Sequence, residues 1–497
     1  MLDLLIEDAA IYDGTGSPWY RASVGIRGDR IACIGGPKAK ARKTLRAAGL
    51  ALCPGFVDVH THADGIVGQP AAANFLQQGI TTVVSGNCGG SALPVAARLR
   101  EIEAAGPAIN YATLVGHGTV RENAMGMAGR RPTRKELLAM CRLVEQAMAD
   151  GALGMSTGLF YVPGSYAELD ELVEVSKVVA AAGGVYASHK RSAGGQVFEA
   201  VAEAAEIGRR ARLPVEISHL KVLHRRGRTR PDRMDRVIEA IESRRRDGVD
   251  ITFDIHPYGA TNTGLAAVAI PPWVSQDGKL KERLQDAAFR RRIRDEVAGK
   301  IAWIGGPGKV VLCTFEPDRS LEGKTLAQVA KARGRSAADT AMDLVVEGDP
   351  SAMFHALRPA DVRKVVAHEL SMIATDGHVV GDDEPVAHPR NFGTFPRILR
   401  EYVRERKLLS LPEAVRKMTS LPARKFGIRD RGLIAVGAKA DLVMFDPETI
   451  ADRTTYEDPH QPADGLRTVI VNGHVALRDG RIARTRAGQV VRGVSCR

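Results

Sequence analysis

The sequence predicts an α/β fold: a (β/α)8 barrel of the TIM type, with a small β-sandwich domain built from both termini. Three observations carry this expectation. Short apolar strands alternate with helix-length segments through the middle of the chain, both ends are rich in strands and tight turns, and the 497 residues, 44% of them hydrophobic, suffice for one large core and a smaller one.

Residues 1–53 read as the first part of the small β domain, with "DLLIEDAAIYDGTG" and "ASVGIRGDRIACIGG" as β-rich runs broken by Gly-containing turns. Residues 416–497 complete it. There, "KADLVMFDPET" is followed by "RTVIVNGHVALRDGRI", which places Asn472 and Gly473 at a two-residue hairpin turn. Residues 54–415 form the barrel. Its expected strands are "PGFVDVHTH", "TTVVSGNCG", "YATLVGHG", "GMSTGL", "GVYASHK", "PVEISHLK", "DITFDIHPY" and "VVAHELSMIATDG". Helical spacing lies between them, as in "YAELDELVEVSKVVAAAGG" and "QVFEAVAEAAEIGRRARL". The interval from about residue 260 to 360 is too long for one βα connection and predicts an insertion or lid. An open doubly wound sheet is disfavoured, because no dinucleotide-binding Gly fingerprint is present.

Lys plus Arg number 70 against 58 Asp plus Glu, a formal charge of +12. In "KERLQDAAFRRRIRDEV" opposite charges interleave as on a solvated helix face, and no basic module carries interleaved aromatics, so nucleic acid is excluded as a partner. No apolar run reaches the roughly 20 residues of a membrane span. The opening "MLDLLIEDAA" has early acids, no basic lead and no small-residue cleavage site. No membrane partner is therefore expected, and the default location is cytoplasmic. Six irregularly spaced cysteines exclude a disulfide framework.

In a barrel of this kind the working residues stand at the carboxyl ends of the strands. The first strand ends with His60 and His62, which alternation along a strand sends to the same side. The second ends with Cys88 in "SGNCGG", the fifth with His189, the sixth with His219 and the eighth with Asp376. These are ligand types that zinc prefers, all expected at one mouth. A thiolate at Cys88 can hold one ion or bridge two. Spacing alone leaves open which residues share an ion. "SGNCGG" is not a phosphate loop, because it lacks the Lys and the Ser/Thr.

The motifs "PGFVDVHTHADG", "SGNCGG", "LVGHGTVR", "GLFYVPGSYAELDELVEVSKVVAAAGGVYASHKR", "EISHLKV", "HPRNFGTFPR" and "GLIAVGAKADLVMFD" resemble the amidohydrolase superfamily and, within it, the D-aminoacylases (N-acyl-D-amino-acid deacylases). The resemblance implies one tight zinc ion held by Cys88, His189 and His219, with His60, His62 and Asp376 lining a second, weaker position. It also implies a small-molecule N-acyl-D-amino acid substrate, its carboxylate met by Tyr161, Lys221 and Arg390. The D preference rests on the resemblance. Zinc lowers the pKa of bound water from 15.7 to about 7 and polarises a carbonyl, and Asp376 is placed to take the proton and return it to the leaving nitrogen. His117 ends the third strand at the same face and is a candidate for positioning substrate; His256 reads as structural.

The chain departs from its relatives after the fifth strand, where "HKRSAGGQ" carries no acid. The loop "HRRGRTRPDR" supplies Arg225, Arg226, Arg228, Arg230 and Arg233 on the expected catalytic side, and two readings stay open for it: solvated surface, the commoner role of such a loop, or a basic patch that draws acidic substrates toward the mouth. Two rivals are weighed: a hydrolase of cyclic amides of the hydantoinase or dihydroorotase type, against which Cys88 argues, and a catalytically silent metal-binding protein.

Overall fold

The chain opens on five strands, β1 (Leu2–Ile11), β2 (Tyr20–Arg27), β3 (Arg30–Gly35), β4 (Ala41–Arg46) and β5 (Ala51–Pro54). The structure, a computed structural model, describes residues 1–35, 40–224, 231–381 and 384–493. One edge of β1 pairs antiparallel with β2; the other edge is divided, Leu2 to Glu7 running parallel with β4, and Ala10 and Ile11 pairing with β5. The register shift between Ile6 and Ala9 is where Asp8 takes a left-handed φ of 61°.

Parallel pairing then passes round a ring. Its members are β6 (Phe56–Asp58), continued by β7 (Thr61–His62); β8 (Ile80–Ser85); β9 (Asn110–Thr113), continued by β10 (Val115–Gly116); β11 (Gly154–Gly158); β12 (Val185–His189); β13 (Val215–Ile217); and β14 (Ile251–Ile255). An insertion follows, with β15 (Thr261–Gly264), β16 (Val310–Leu312) and β17 (Ser351–Phe354) in an antiparallel sheet. The ring resumes with β18 (Ser371–Ile373), paired to β14, and β19 (Gly377–His378), which pairs with β7. The last strand position thus meets the first. Asp58 reinforces that seam by accepting hydrogen bonds from the Thr375 backbone N–H (3.1 Å) and hydroxyl (2.6 Å).

The barrel interior follows from period-two alternation. Val57 and Val59, Ala112 and Leu114, and Val185 and Ala187 form one buried cluster with Val84 and Met372. Leu421, Ala423, Phe426 and Ile428, which follow the last strand, join the same cluster. The alternate residues face the surrounding helices in a larger cluster. The eighth strand is shorter than its sequence suggests: Val365 to Ala367 belong to the helix Pro359–Ala367, which Pro359 starts at its first position and which buries Val362, Val365 and Val366.

The insertion has an apolar cluster of its own, built from Leu265, Ile293, Val297, Ile301, Val310, Phe315 and Met342 among others. The charged run "KERLQDAAFRRRIRDEV" divides into two helices, Leu280–Gln285 and Ala287–Trp303, because Asp286 caps the second by accepting from the Phe289 N–H at 2.6 Å. Ile293, Val297 and Ile301 recur every fourth residue and form its buried stripe.

Strands β20 (Leu442–Phe445), β21 (Leu466–Val471), β22 (His474–Arg478) and β23 (Arg481–Ile482) return to the terminal sheet, where β20 lies antiparallel to β5. The result is one nine-stranded sheet. Its N-terminal and C-terminal strands share a core of Leu4, Ile6, Val24, Ile26, Leu52, Leu442 and Ile470, so the expected sandwich is one continuously hydrogen-bonded sheet around that core. At its hairpin, Asn472 (φ 47°) and Gly473 (φ 80°) both take left-handed backbone, as a two-residue turn requires. No helix among the described residues is long and apolar enough to cross a membrane.

Candidate metal centre and active site

The six residues singled out at the strand ends converge beyond the carboxyl ends of the barrel strands. His60 lies between β6 and β7 and His62 closes β7; Cys88 follows β8, His189 ends β12, His219 follows β13 and Asp376 follows β18. Cys88, His219 and Asp376 have φ of 54°, 35° and 51°, a conformation that costs a non-glycine residue on the order of 1–3 kcal/mol. The surroundings impose it. Asn87 anchors the Cys88 loop by donating to the carbonyls of Val84 (3.0 Å), Val59 (3.3 Å) and Thr61 (3.4 Å). Gly158 lets β11 approach, since a Cβ there would lie 2.0 Å from the Cys88 carbonyl oxygen.

Cys88 Sγ stands 3.3 Å from His189 Nδ1, 3.4 Å from His60 Nε2 and 3.7 Å from His219 Nε2. His189 Nδ1 and His219 Nε2 are 2.9 Å apart. Asp376 Oδ1 lies 3.2 Å from His62 Nε2 and 3.5 Å from His60 Nε2. His60 therefore belongs to both groups, with Cys88 and His219 on one side and His62 and Asp376 on the other. Its Nδ1 is 3.0 Å from Asp254 Oδ2, which fixes the proton there and turns the Nε2 lone pair toward the cluster. Burial opposes ionisation of the Cys88 thiol, yet the His189 and His60 imidazoles hold it well below the ordinary thiol range. Burial also raises Asp376, but the Arg390 guanidinium and the His62 hydrogen bond hold its carboxyl well below the usual carboxylate range. A thiolate, imidazole nitrogens facing one another and a carboxylate form a donor set that fits a divalent cation.

His62, Cys88, His189, His219 and Asp376 open into a cavity of about 1700 Å³, which Tyr161, Lys221 and Arg390 also line, while His60 is buried behind them. Arg390 is committed first to Asp376, donating from Nη1 to Oδ2 at 2.6 Å. Tyr161 Oη accepts from the Thr263 hydroxyl at 3.2 Å, and its ring stands edge-on to His189 at 4.7 Å. Lys221 lies past the end of β13, where His219 has already left the extended conformation, so strand alternation does not set its direction. Both residues nevertheless line the cavity.

His117 departs from its expected place. It is the first residue of the helix His117–Met125, fully buried, with Nε2 3.0 Å from Glu171 Oε1, and it does not line the cavity. Arg121 donates to the same Glu171 oxygen at 3.0 Å, so the three residues tie two outer helices together. Arg233 also turns away, its Nη2 donating to the carbonyls of Gly194 (2.6 Å) and Gly195 (3.1 Å). Arg225, Arg226, Arg228 and Arg230 lie outside the described residues. His256 is buried off the cavity, and neither ring nitrogen has a hydrogen-bond partner among the described residues.

Sequence reasoning missed Asp254 and Asp58. Asp254 Oδ1 accepts the His219 backbone N–H at 2.9 Å while Oδ2 meets His60, so one carboxylate holds two candidate ligands. The signal was an acid inside an otherwise apolar strand, in "ITFDI" and likewise in "FVD".

The sequence matches the Amidohydrolase family over residues 43–269 and 282–477. The chain belongs to this family. As an amidohydrolase it is 37% identical to the N-acyl-D-glutamate deacylase of Alcaligenes xylosoxydans xylosoxydans, over 97% of this chain and 96% of that protein. It is 35% identical to the D-aminoacylase of the same organism, over 98% and 97%. Its fold superimposes on the crystal structure of N-acyl-D-glutamate deacylase from Bordetella bronchiseptica, complexed with zinc and a phosphonate that mimics the tetrahedral intermediate. The TM-score is 0.86 and the identity 34%, with 99% of each chain covered.

Proposed function

We propose that this amidohydrolase cleaves the linear amide of N-acyl-D-amino acids to a carboxylate and a free D-amino acid. The observation that carries the reading is the convergence of a metal-ligand set, a carboxylate base and two cations in one cavity. Its full-length similarity to D-aminoacylase and to the N-acyl-D-glutamate and N-acyl-D-aspartate deacylases supplies the substrate class.

Cys88, His189 and His219 would hold a tight zinc ion, and His60, His62 and Asp376 would line a second position. Zinc there supplies Lewis acidity, which favours ionised water and polarises a carbonyl oxygen. Asp376, kept ionised by Arg390, takes the proton of the attacking water at Oδ1 and delivers it to the amide nitrogen as that nitrogen leaves. Lys221 and the remaining donor capacity of Arg390 hold the substrate carboxylate, with the Tyr161 hydroxyl beside them. Asp254 keeps His60 and His219 in register.

Purified protein of measured zinc content, incubated with matched N-acetyl-D- and N-acetyl-L-amino acids, should release free amine from the D series alone. No release from either series with zinc bound would overturn the reading.

A further inference from the structure

The cavity is larger than the roughly 300–1,000 Å³ of an ordinary small-molecule site. Besides the metal-ligand cluster and the carboxylate-binding residues, its lining includes apolar side chains: Phe160, Leu223, Val268, Trp273, Trp303 and Ile304. Trp303 is the last residue of the helix Ala287–Trp303; it packs against the insertion's own core yet remains partly exposed in the cavity. Its indole edge is seated on Gly194 of the loop after β12. A Cβ built on Gly194 would lie 1.9 Å from Trp303 Cη2 and 2.7 Å from Cζ2, so only glycine permits the contact.

That loop is held in place. Besides the Arg233 hydrogen bonds, the Leu223 N–H donates to the Ala193 carbonyl at 2.7 Å. The segment Ser192–Gly195 brings no charge. Arg191 beside it is spent on Glu203 and on the carbonyls of Ser165 and Ala167. The cavity-lining charges of the Trp303 helix, Glu296 and Lys300, have opposite signs and stand one turn apart. Trp303 thus joins two fixed elements, the barrel loop and the insertion, into an apolar wall.

Resting on the deacylase reading, we propose that Trp303, seated on Gly194, is a specificity-determining wall for a bulky apolar group of the substrate. Either the amino-acid side chain or the acyl chain can present that chemistry, and the two are separable by experiment. Removing such a group from water against these side chains favours binding in proportion to the area covered.

The test uses the full-length, zinc-loaded enzyme and two substrate series. One fixes the acetyl group and varies the D-residue through alanine, leucine, phenylalanine and glutamate; the other fixes D-alanine and varies the acyl group through acetyl, hexanoyl and benzoyl. In at least one series kcat/KM should rise with apolar size, and that series identifies which half of the substrate meets Trp303. Trp303→Ala should lower kcat/KM about tenfold or more for its bulky members, while N-acetyl-D-alanine changes far less. Trp303→Leu, which keeps an apolar side chain, guards against a folding defect, and Gly194→Ala should reproduce the selective loss by displacing the indole. An unchanged ratio of bulky to small substrates in all three variants, or no rise of kcat/KM with apolar size in either series, would overturn the proposal. Should no amide be hydrolysed, the deacylase reading fails. Calorimetric affinity for N-benzoyl-D-alanine and N-acetyl-D-phenylalanine against N-acetyl-D-alanine then decides the wall separately, tighter binding lost in Trp303→Ala supporting it and equal binding sinking it.

Discussion

At the scale of single residues, Asp254 is the most informative side chain of the site. Its two oxygens meet the His60 ring and the His219 backbone, so its geometry is transmitted to two candidate ligands, one after the neighbouring β13 and one from the first strand position of the ring. Asp254→Asn keeps the shape but sets an amide where a carboxylate accepts the His60 proton. Outer partners of metal-binding histidines are typically worth about 10–100-fold in metal affinity or activity. A zinc titration of the Asp254→Asn variant should show a loss in that range; wild-type affinity and rate would contradict the role. Asp376 divides its oxygens in the same way, with His62 at Oδ1 and Arg390 at Oδ2.

At the scale of elements, the helix Leu411–Met418, which packs against β6 and β18, is pinned by Lys417. That side chain is fully buried and donates to the carbonyls of Val366 (3.1 Å), Ser371 (3.3 Å) and His368, joining the end of the helix Pro359–Ala367 to the start of β18. Three carbonyls satisfy its donors without supplying a full negative charge, and burial pushes its pKa down from 10.5 to about 7. The folded chain therefore binds fewer protons at this site than the unfolded chain between about pH 7 and 10.5. The contribution of Lys417 to stability therefore rises with pH there, by at most about 1.4 kcal/mol per pH unit. Denaturant unfolding of wild type and Lys417→Met from about pH 7 to 9.5 should show wild type gaining on the variant; parallel courses would contradict the assignment.

At the scale of the whole molecule, the candidate ligands come from the first, second, fifth, sixth and eighth positions of the ring. A cation bound among them cross-links strands far apart in sequence and favours the folded state by mass action, by about 2.7 kcal/mol at a free concentration one hundred times Kd. Chelation should therefore abolish activity and lower Tm, with zinc restoring both. Cys88→Ala should lose most of the zinc-dependent Tm shift, whereas an identical shift in that variant would remove Cys88 from the ligand set. The insertion carries its own sheet and apolar cluster, which lets it wall the cavity without disturbing the barrel interior.

Local pattern determined the barrel. Alternation in "FVDV" and "VYASH" wrote the strands, and ligand-type residues at their ends marked the mouth, because periodicity and residue chemistry are properties of short segments. His117 shows the boundary of that logic. As a strand-end histidine it resembled His189, and only packing revealed Glu171 waiting beneath it, 54 residues along the chain. Asp254 beneath His60, Arg390 turned onto Asp376 and Trp303 resting on Gly194 are likewise contacts between distant segments. Sequence by itself determined which side chains could do chemistry. Tertiary structure decided which of them face one another, since that depends on backbone turns, such as the left-handed ones at Cys88, His219 and Asp376, that the assembled barrel imposes.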